Sequence, residues 1–487
     1  MSKLFDNADW TESSLQEIWQ VIKDIAINEF KLDFYDPYFE VVTFEEMLQI
    51  YSTSFPVMYN HWSFGKNYED LYRQYKNNRT SIAYEVIFNT SPALCYLLEN
   101  NSSVMQALVM AHAAVGHSAF FKMNAFLREN TNAKTIIPFM KNMRTFVQDC
   151  EVKYGADRVE KILDACISLS AYSIDRAEKP VYTNKQKEAK RIKRLDAKEQ
   201  DFDILVEGMK DPDTKIEKKE RVNEENLLKF VAKYSPGLKP WERDLINMFC
   251  KVEQYFYPQR LTKTMNEGFA SFWHYELMTR LSELGYLKGG DFMEFLHSHT
   301  GVLCQHGMEH KYYRGLNPYK MGYELYAEIK RICLNPTEED KKYFPQLIGK
   351  NWIDEVNYAA INFRDASFIQ QYLSPKIVRD FKLLKFNSDS RNDYVEVTAT
   401  HDTEDFKEIR AGLEAHYDYY SRLPYITIEG ASLKGNRTLY INVIEKRPKE
   451  VDEESLYYSL CLLKKLWPYP LNIKYTSYNK EQIQTTL

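Results

Sequence analysis

Ser103-Val104-Met105-Gln106-Ala107-Leu108-Val109-Met110-Ala111-His112-Ala113-Ala114-Val115-Gly116-His117-Ser118-Ala119-Phe120-Phe121 decides the architecture. This stretch, continuing to Glu129, is apolar or small on nearly every face, which predicts a helix buried at the centre of an all-helical core. Gln106, His112, His117 and Ser118 interrupt it, and it falls short of about 20 clean apolar residues, so no membrane span is expected. Two imidazoles in such a setting need partners for both ring nitrogens. Their spacing, i and i+5, puts them about 140° apart on a regular α-helix. They converge only if Gly116 marks a bulge or the helix end. The zinc-protease pattern HExxH, with histidines at i and i+4, is not met. Ala111, Ala113, Ala114 and Gly116 are small enough to admit a second backbone at close range.

A helix predicted from about Thr262 to Leu284 is the natural neighbour. Lys263, Glu267, Ser271 and His274 form one polar stripe, while Phe269, Phe272, Trp273 and Leu277 mark the helix as buried. Glu267 and His274 lie about 10.5 Å apart along its axis, so each pairs more easily with His112 or His117 than with the other. These four residues form the candidate metal site, His112, His117, Glu267 and His274, in a chemistry suited to zinc, iron or manganese. Glu267 and Glu253 are the candidate catalytic carboxylates, with Glu253 the general base. The bland alternative is a satisfied polar network that fixes helix register.

The remaining composition narrows the class. The 487 residues carry 64 Lys plus Arg against 69 Asp plus Glu, a net charge of −5, which excludes a generally basic nucleic-acid coat. Aromatic residues reach 14%, ample apolar area for folding. Seven scattered cysteines form no CxxC pair and fit a reducing compartment. The first residues show no apolar signal segment, so a cytoplasmic protein is expected.

The expected fold is mainly α, a large helical body with a smaller C-terminal α+β domain. The first third reads as helix, beginning with Leu15 to Phe30. Residues 1–350 form the core, with a charged insertion at about 183–225, and 351–487 form a connecting helix and the α+β domain. In the insertion, Lys185 to Lys198 is basic but interleaved with Glu188 and Asp196, which points to a solvated helix or linker rather than a nucleic-acid surface. Strands are expected at Tyr394 to Thr400, Tyr425 to Glu429, Thr438 to Ile444 and Leu471 to Tyr475, with helices from Glu404 to Tyr417 and Glu453 to Leu466. Two further motifs are weak. His306-Gly307-Met308-Glu309-His310 matches H-x-x-E-H literally, but Gly307 opposes the helix that pattern needs. His61-Trp62-Ser63-Phe64-Gly65-Lys66 is either a ligand loop or a packed turn.

Taken together, these blocks resemble the SpoVR family, the stage V sporulation protein R proteins. The resemblance rests on His61 to Lys66, Tyr84-Glu85 with Asn89 to Pro92, Ala111-His112 with Gly116-His117, and Trp241 to Asp244. It continues through Tyr255 to Gln259, Asn266-Glu267-Gly268, Trp273-His274, Asn317-Pro318-Tyr319 with Gly322, and Leu373 to Lys376. It implies a cytoplasmic role in sporulation (spore cortex formation) or in stationary-phase and stress physiology. It also implies partners, a serine protein kinase system and a von Willebrand-type protein. Two functions follow as expectations: a metal-dependent hydrolase acting on a peptide or peptidoglycan-related bond, or a non-enzymatic scaffold or regulator of the kinase system.

Overall fold

A computed structural model describes residues 5, 9–77, 85–176, 220–307, 309–311, 313, 315–387, 396–400, 405–418, 423–432, 435–445 and 453–487. The chain is mainly helical, with an α+β part that includes its C-terminal residues. It divides into two compact units: Met1–Val159 with Gln254–Leu423, and Glu160–Glu253 with Pro424–Leu487. The division does not run near residue 350. Val356, Ala359, Phe368, Ile377 and Phe406 belong to the hydrophobic core of the first unit. The second unit is tied together by strand pairing, in which Glu220 sits opposite Ala431. Such long-range pairing leaves no linker signature in composition.

The first unit begins with α1 (Glu12–Asn28), which starts where the Thr11 side chain accepts from the Ser14 amide at 3.2 Å. It buries Leu15, Ile18, Ile22 and Ile25, the helical repeat expected from the sequence. Helix α2 (Phe44–Thr53) follows. The first third is not all helix. Strands β1 (Pro37–Val42), β2 (Glu85–Ile87) and β3 (Ala93–Leu98) form a sheet in the order β1-β3-β2. Strand β3 pairs parallel with β1 and antiparallel with β2. Ala93-Leu94-Cys95-Tyr96-Leu97-Leu98 is a short apolar run, and periodicity does not separate a buried strand from a helix at that length.

The centre of the unit is α3 (Ser103–Met123). It is long and apolar enough to cross a membrane, but its most apolar window is wholly buried inside the fold. It packs against α4 (Lys263–Glu283), which packs in turn against α5 (Gly289–Val302) and α6 (Pro318–Leu334). Glycine sets two of these contacts. A Cβ on Gly116 would lie 2.5 Å from the Ala270 Cα, and one on Gly268 would lie 2.3 Å from the Gly322 Cα. The α4 backbone therefore touches a neighbour on both sides.

The N-terminus of α4 has no side-chain cap from Thr262. The buried Asp365 carboxylate serves instead, accepting from the Thr264 amide at 2.9 Å and the Met265 amide at 2.8 Å. Burial pushes its carboxyl up to about 7, even though those amides favour the charged form.

In the second unit, β4 (Glu220–Glu224), β5 (Tyr425–Ala431), β6 (Leu439–Ile444), β7 (Leu471–Thr476) and β8 (Gln482–Thr486) form a sheet ordered β8-β7-β6-β5-β4. All neighbours are antiparallel except β6 and β7. The helix Glu453–Leu466 makes the crossover that a parallel pair requires. The expected strands and helices of the last quarter are present within a few residues. The first expected strand is Glu396–Ala399, and the helix from Glu404 is Phe406–Tyr417. The charged stretch 183–225 lies outside the described residues up to 219, and its end forms β4.

Candidate metal centre

The middle of α3 is not an α-helix. Residues Met110–His117 form a π-helix, with i→i+5 hydrogen bonding. The wider turn brings His112 and His117, five residues apart, toward one face of the helix. Their ring centroids are 4.6 Å apart and nearly perpendicular, at 87°. The bulge anticipated at Gly116 is thus a whole π turn, and the glycine lets α4 approach it.

Helix α4 brings three side chains to these rings. Glu267 Oε2 lies 3.4 Å from His117 Nε2. The Asn266 carbonyl oxygen lies 2.9 Å from His117 Nδ1, an acceptor that fixes the proton on that nitrogen. His274 Nδ1 lies 2.8 Å from His112 Nδ1. From the sheet, β2 presents Glu85, whose Oε1 is 3.8 Å from His112 Nε2. Tyr319, at the start of α6, donates to Glu267, and its ring lies near-parallel to that of His112. The Tyr51 hydroxyl of α2 donates to the Glu85 backbone carbonyl at 3.0 Å.

One ligand atom each from His112, His117 and Glu267 lies within 4.8 Å of the other two. A tetrahedral zinc site places such atoms about 3.3 Å apart. The His117–Glu267 separation of 3.4 Å already meets that, and the third ligand needs to close by up to about 1.5 Å. Histidines backed by an acceptor on the second ring nitrogen, as His117 is by Asn266, are the usual form of a metal ligand. The side chains of Glu85 and Glu267 keep 18% and 16% of their exposure, so the cluster touches solvent at its carboxylates.

The electrostatics separate the groups. Burial, then the neighbouring imidazoles, hold His112 well below the usual imidazole range. Burial also opposes protonation of His117, but the hydrogen bond and charge of Glu267, with Asn266 and Glu85, outweigh it and raise its pKa. Burial, partly offset by His117 and reinforced by Glu267, pushes Glu85 up to about 7.

Of the residues singled out in the sequence, His112, His117 and Glu267 come together. His274 stands behind His112, with its two ring nitrogens facing His112 and His299 rather than the pocket. Glu253 belongs to the second compact unit, whereas the other four lie in the first. Away from this cluster, His61 caps the helix Trp62–Lys76 through its Nδ1, and His61 and Phe64 line a separate cavity with Tyr59 and Tyr96. Residues 304–307 are not helical, and the His306 and His310 rings stack at 4.4 Å instead of sharing a helix face. Sequence reasoning missed Glu85 and His299 as members of the cluster. Glu85 lies within the Tyr84-Glu85 block and His299 a few residues before the His306 to His310 motif, but neither has a spacing that ties it to the two helices.

A family model described as SpoVR like protein matches residues 9–422. The uncharacterized protein YcgB of Escherichia coli (strain K12) is 38% identical over 461 residues, spanning 93% of this chain and 90% of that relative. No solved structure matches the chain.

Proposed function

The chain belongs to the SpoVR family, a family linked to sporulation, and from that premise we propose that it is a metal-dependent hydrolase centred on His112, His117 and Glu267. The observation that carries the reading is the convergence of three ligand atoms within 4.8 Å inside an otherwise apolar core. When bound, a divalent cation supplies Lewis-acid activation of water and of a carbonyl group. The substrate class is a peptide or peptidoglycan-related amide.

The chain's own residues have distinct roles in this reading. His117 presents Nε2 to the pocket because Asn266 holds Nδ1. Glu267 is held in place by the Tyr319 hydroxyl. Glu85 takes the general-base role first assigned to Glu253: its Oε1 stands 3.8 Å from His112 Nε2, beside the three-ligand group without belonging to it.

Elemental analysis of the purified protein tests the reading, with His117→Ala and Glu267→Gln as controls. The expected result is about one equivalent of zinc, iron or manganese per chain, lost in both variants. Wild-type protein that takes up no metal, even when zinc is added, overturns it. The polar cluster is then a structural network, and the scaffold or regulator role with a serine protein kinase system becomes the reading to pursue.

A further inference from the structure

A cavity of about 390 Å³ opens among α2, β1, β3 and the helix Trp62–Lys76. Small-molecule sites span about 300–1,000 Å³, so this one suits a single small metabolite. None of its lining residues belongs to the His112, His117 and Glu267 group, and the metal reading leaves it unused.

The lining divides by chemistry. Phe55, Tyr59 and Tyr96 are buried aromatic residues, and Val42 is buried too. Phe64 completes this apolar wall. His61 Nδ1 accepts from the Ser63 amide at 3.3 Å and so starts the helix Trp62–Lys76. Phe64 in the first turn of that helix then lies 5.7 Å from Tyr59, ring centre to ring centre. The block His61 to Lys66 is therefore a packed turn that also builds the wall of a cavity.

The charged lining residues are Glu40, Glu46 and Arg144, all solvent-exposed, so they stand where the cavity opens. Glu40 sits on β1 opposite Tyr96 of β3. Glu46 is fixed in place, because its Oε2 accepts from the Thr43 amide at 2.9 Å and the Thr43 hydroxyl at 3.0 Å. Its Oε1 is left for another donor. Arg144, on the helix Ile136–Tyr154, has no side-chain hydrogen bond or ion pair among the described residues. The opening thus presents both signs of charge above an aromatic wall.

We propose that this cavity binds a free α-amino acid with an aromatic or large aliphatic side chain. The side chain lies against the aromatic wall, the carboxylate meets the Arg144 fork, and the ammonium faces Glu40 and Glu46. Charge complementarity selects this class. A simple amine leaves Arg144 facing a cation, and a simple carboxylic acid faces two like charges. An α-amino acid carries both charges on one carbon, whereas either end of a peptide carries one. The site stands independently of the metal reading.

The test is calorimetric titration of the full chain at neutral pH with L-phenylalanine, L-phenylalaninamide, N-acetyl-L-phenylalanine and glycine. L-Phenylalanine should bind with a dissociation constant of about 1 mM or lower. The amide keeps only the ammonium and the N-acetyl form only the carboxylate, so each should bind at least about tenfold more weakly. Glycine, which has no side chain to bury, should not bind at about 10 mM. Arg144→Gln changes an exposed position and should lower the L-phenylalanine affinity about tenfold, to that of the amide. L-Phenylalanine that fails to bind at about 10 mM overturns the proposal. An amide that binds as well as the free amino acid overturns it in favour of a peptide N-terminus, and an N-acetyl form that does so overturns it in favour of a peptide C-terminus. Glycine binding as tightly as L-phenylalanine, or undiminished L-phenylalanine binding by Arg144→Gln, overturns it as well.

Discussion

Replacing Gly116 by Ala adds a single carbon where two helices touch. That carbon would meet the Ala270 Cα at 2.5 Å, its Cβ at 2.9 Å and its carbonyl oxygen at 3.3 Å. Two of these partners are backbone atoms of α4, so no side-chain rotation relieves the contact. Ordinary contact begins near 3.4 Å, so the helices must separate by roughly 1 Å. Overpacking of this kind costs about 1–3 kcal/mol and sometimes more, against a gain of about 1 kcal/mol in helix propensity. The rigid partners put the cost at the upper end, leaving a net loss of about 2 kcal/mol, which in a unit of this size lowers Tm by about 3 °C. The same separation stretches the His112–His274 contact of 2.8 Å and the His117–Asn266 contact of 2.9 Å past bonding range. Zinc affinity should therefore fall at least about tenfold. Thermal denaturation and zinc titration measure the two effects. A matched control is Gly65→Ala in the helix Trp62–Lys76, where an added Cβ meets nothing within 4 Å. That variant should be stabilised by up to about 1 kcal/mol. A Gly116→Ala protein with wild-type Tm and zinc affinity would refute the reasoning from backbone contact.

Asp365→Ala leaves the buried Thr264 and Met265 amides without their acceptor, which should cost about 2–5 kcal/mol in urea denaturation; a loss below about 0.5 kcal/mol would mean the cap contributes nothing. Glu85→Gln should keep metal content and lower any hydrolytic rate at least about 100-fold; loss of the metal with the carboxylate would make Glu85 a ligand instead. The stability of the metal-free protein should peak near pH 6.5. His112, His274 and His299, depressed in the fold, contribute fully above their unfolded value near 6.5, and that contribution fades as pH falls, for His299 through about 4. Glu85 and Asp365, raised to about 7, contribute fully below their unfolded values near 4 and lose that contribution as pH rises through about 7. His117, also raised, adds to the loss above about 6.5. A Tm that changes in one direction across pH 4.5 to 8.5, measured by calorimetry, would contradict this balance.

Helical packing was legible in the sequence because burial imposes a period on side chains. Leu15, Ile18, Ile22 and Ile25 repeat at helical spacing, and all four are buried in α1. The pairing of α3 with α4 was legible from composition, since small residues beside two histidines on one segment faced a polar stripe on the other. The direction in which His274 points was not legible. Its place on α4 was clear, but whether it meets the pocket or backs His112 depends on how the two helices cross. Strand β2 is three residues long, too short to carry a period, so Glu85 had no pattern to announce it. The seam between the two units was hidden because β4 and β5 are paired by folding, not by chain proximity.

The π segment can also be understood as an inserted residue. Removing one residue between His112 and His117 would leave two histidines at i and i+4, which on an ordinary α-helix also share a face. The eight residues Met110–His117 thus reach with a five-residue interval what a regular helix reaches with four. Motif searches that fix the interval at four pass over this arrangement. A histidine pair spaced by five within an apolar, small-residue stretch is a second spelling of the same geometry, recognisable where a glycine beside the second histidine admits the facing helix.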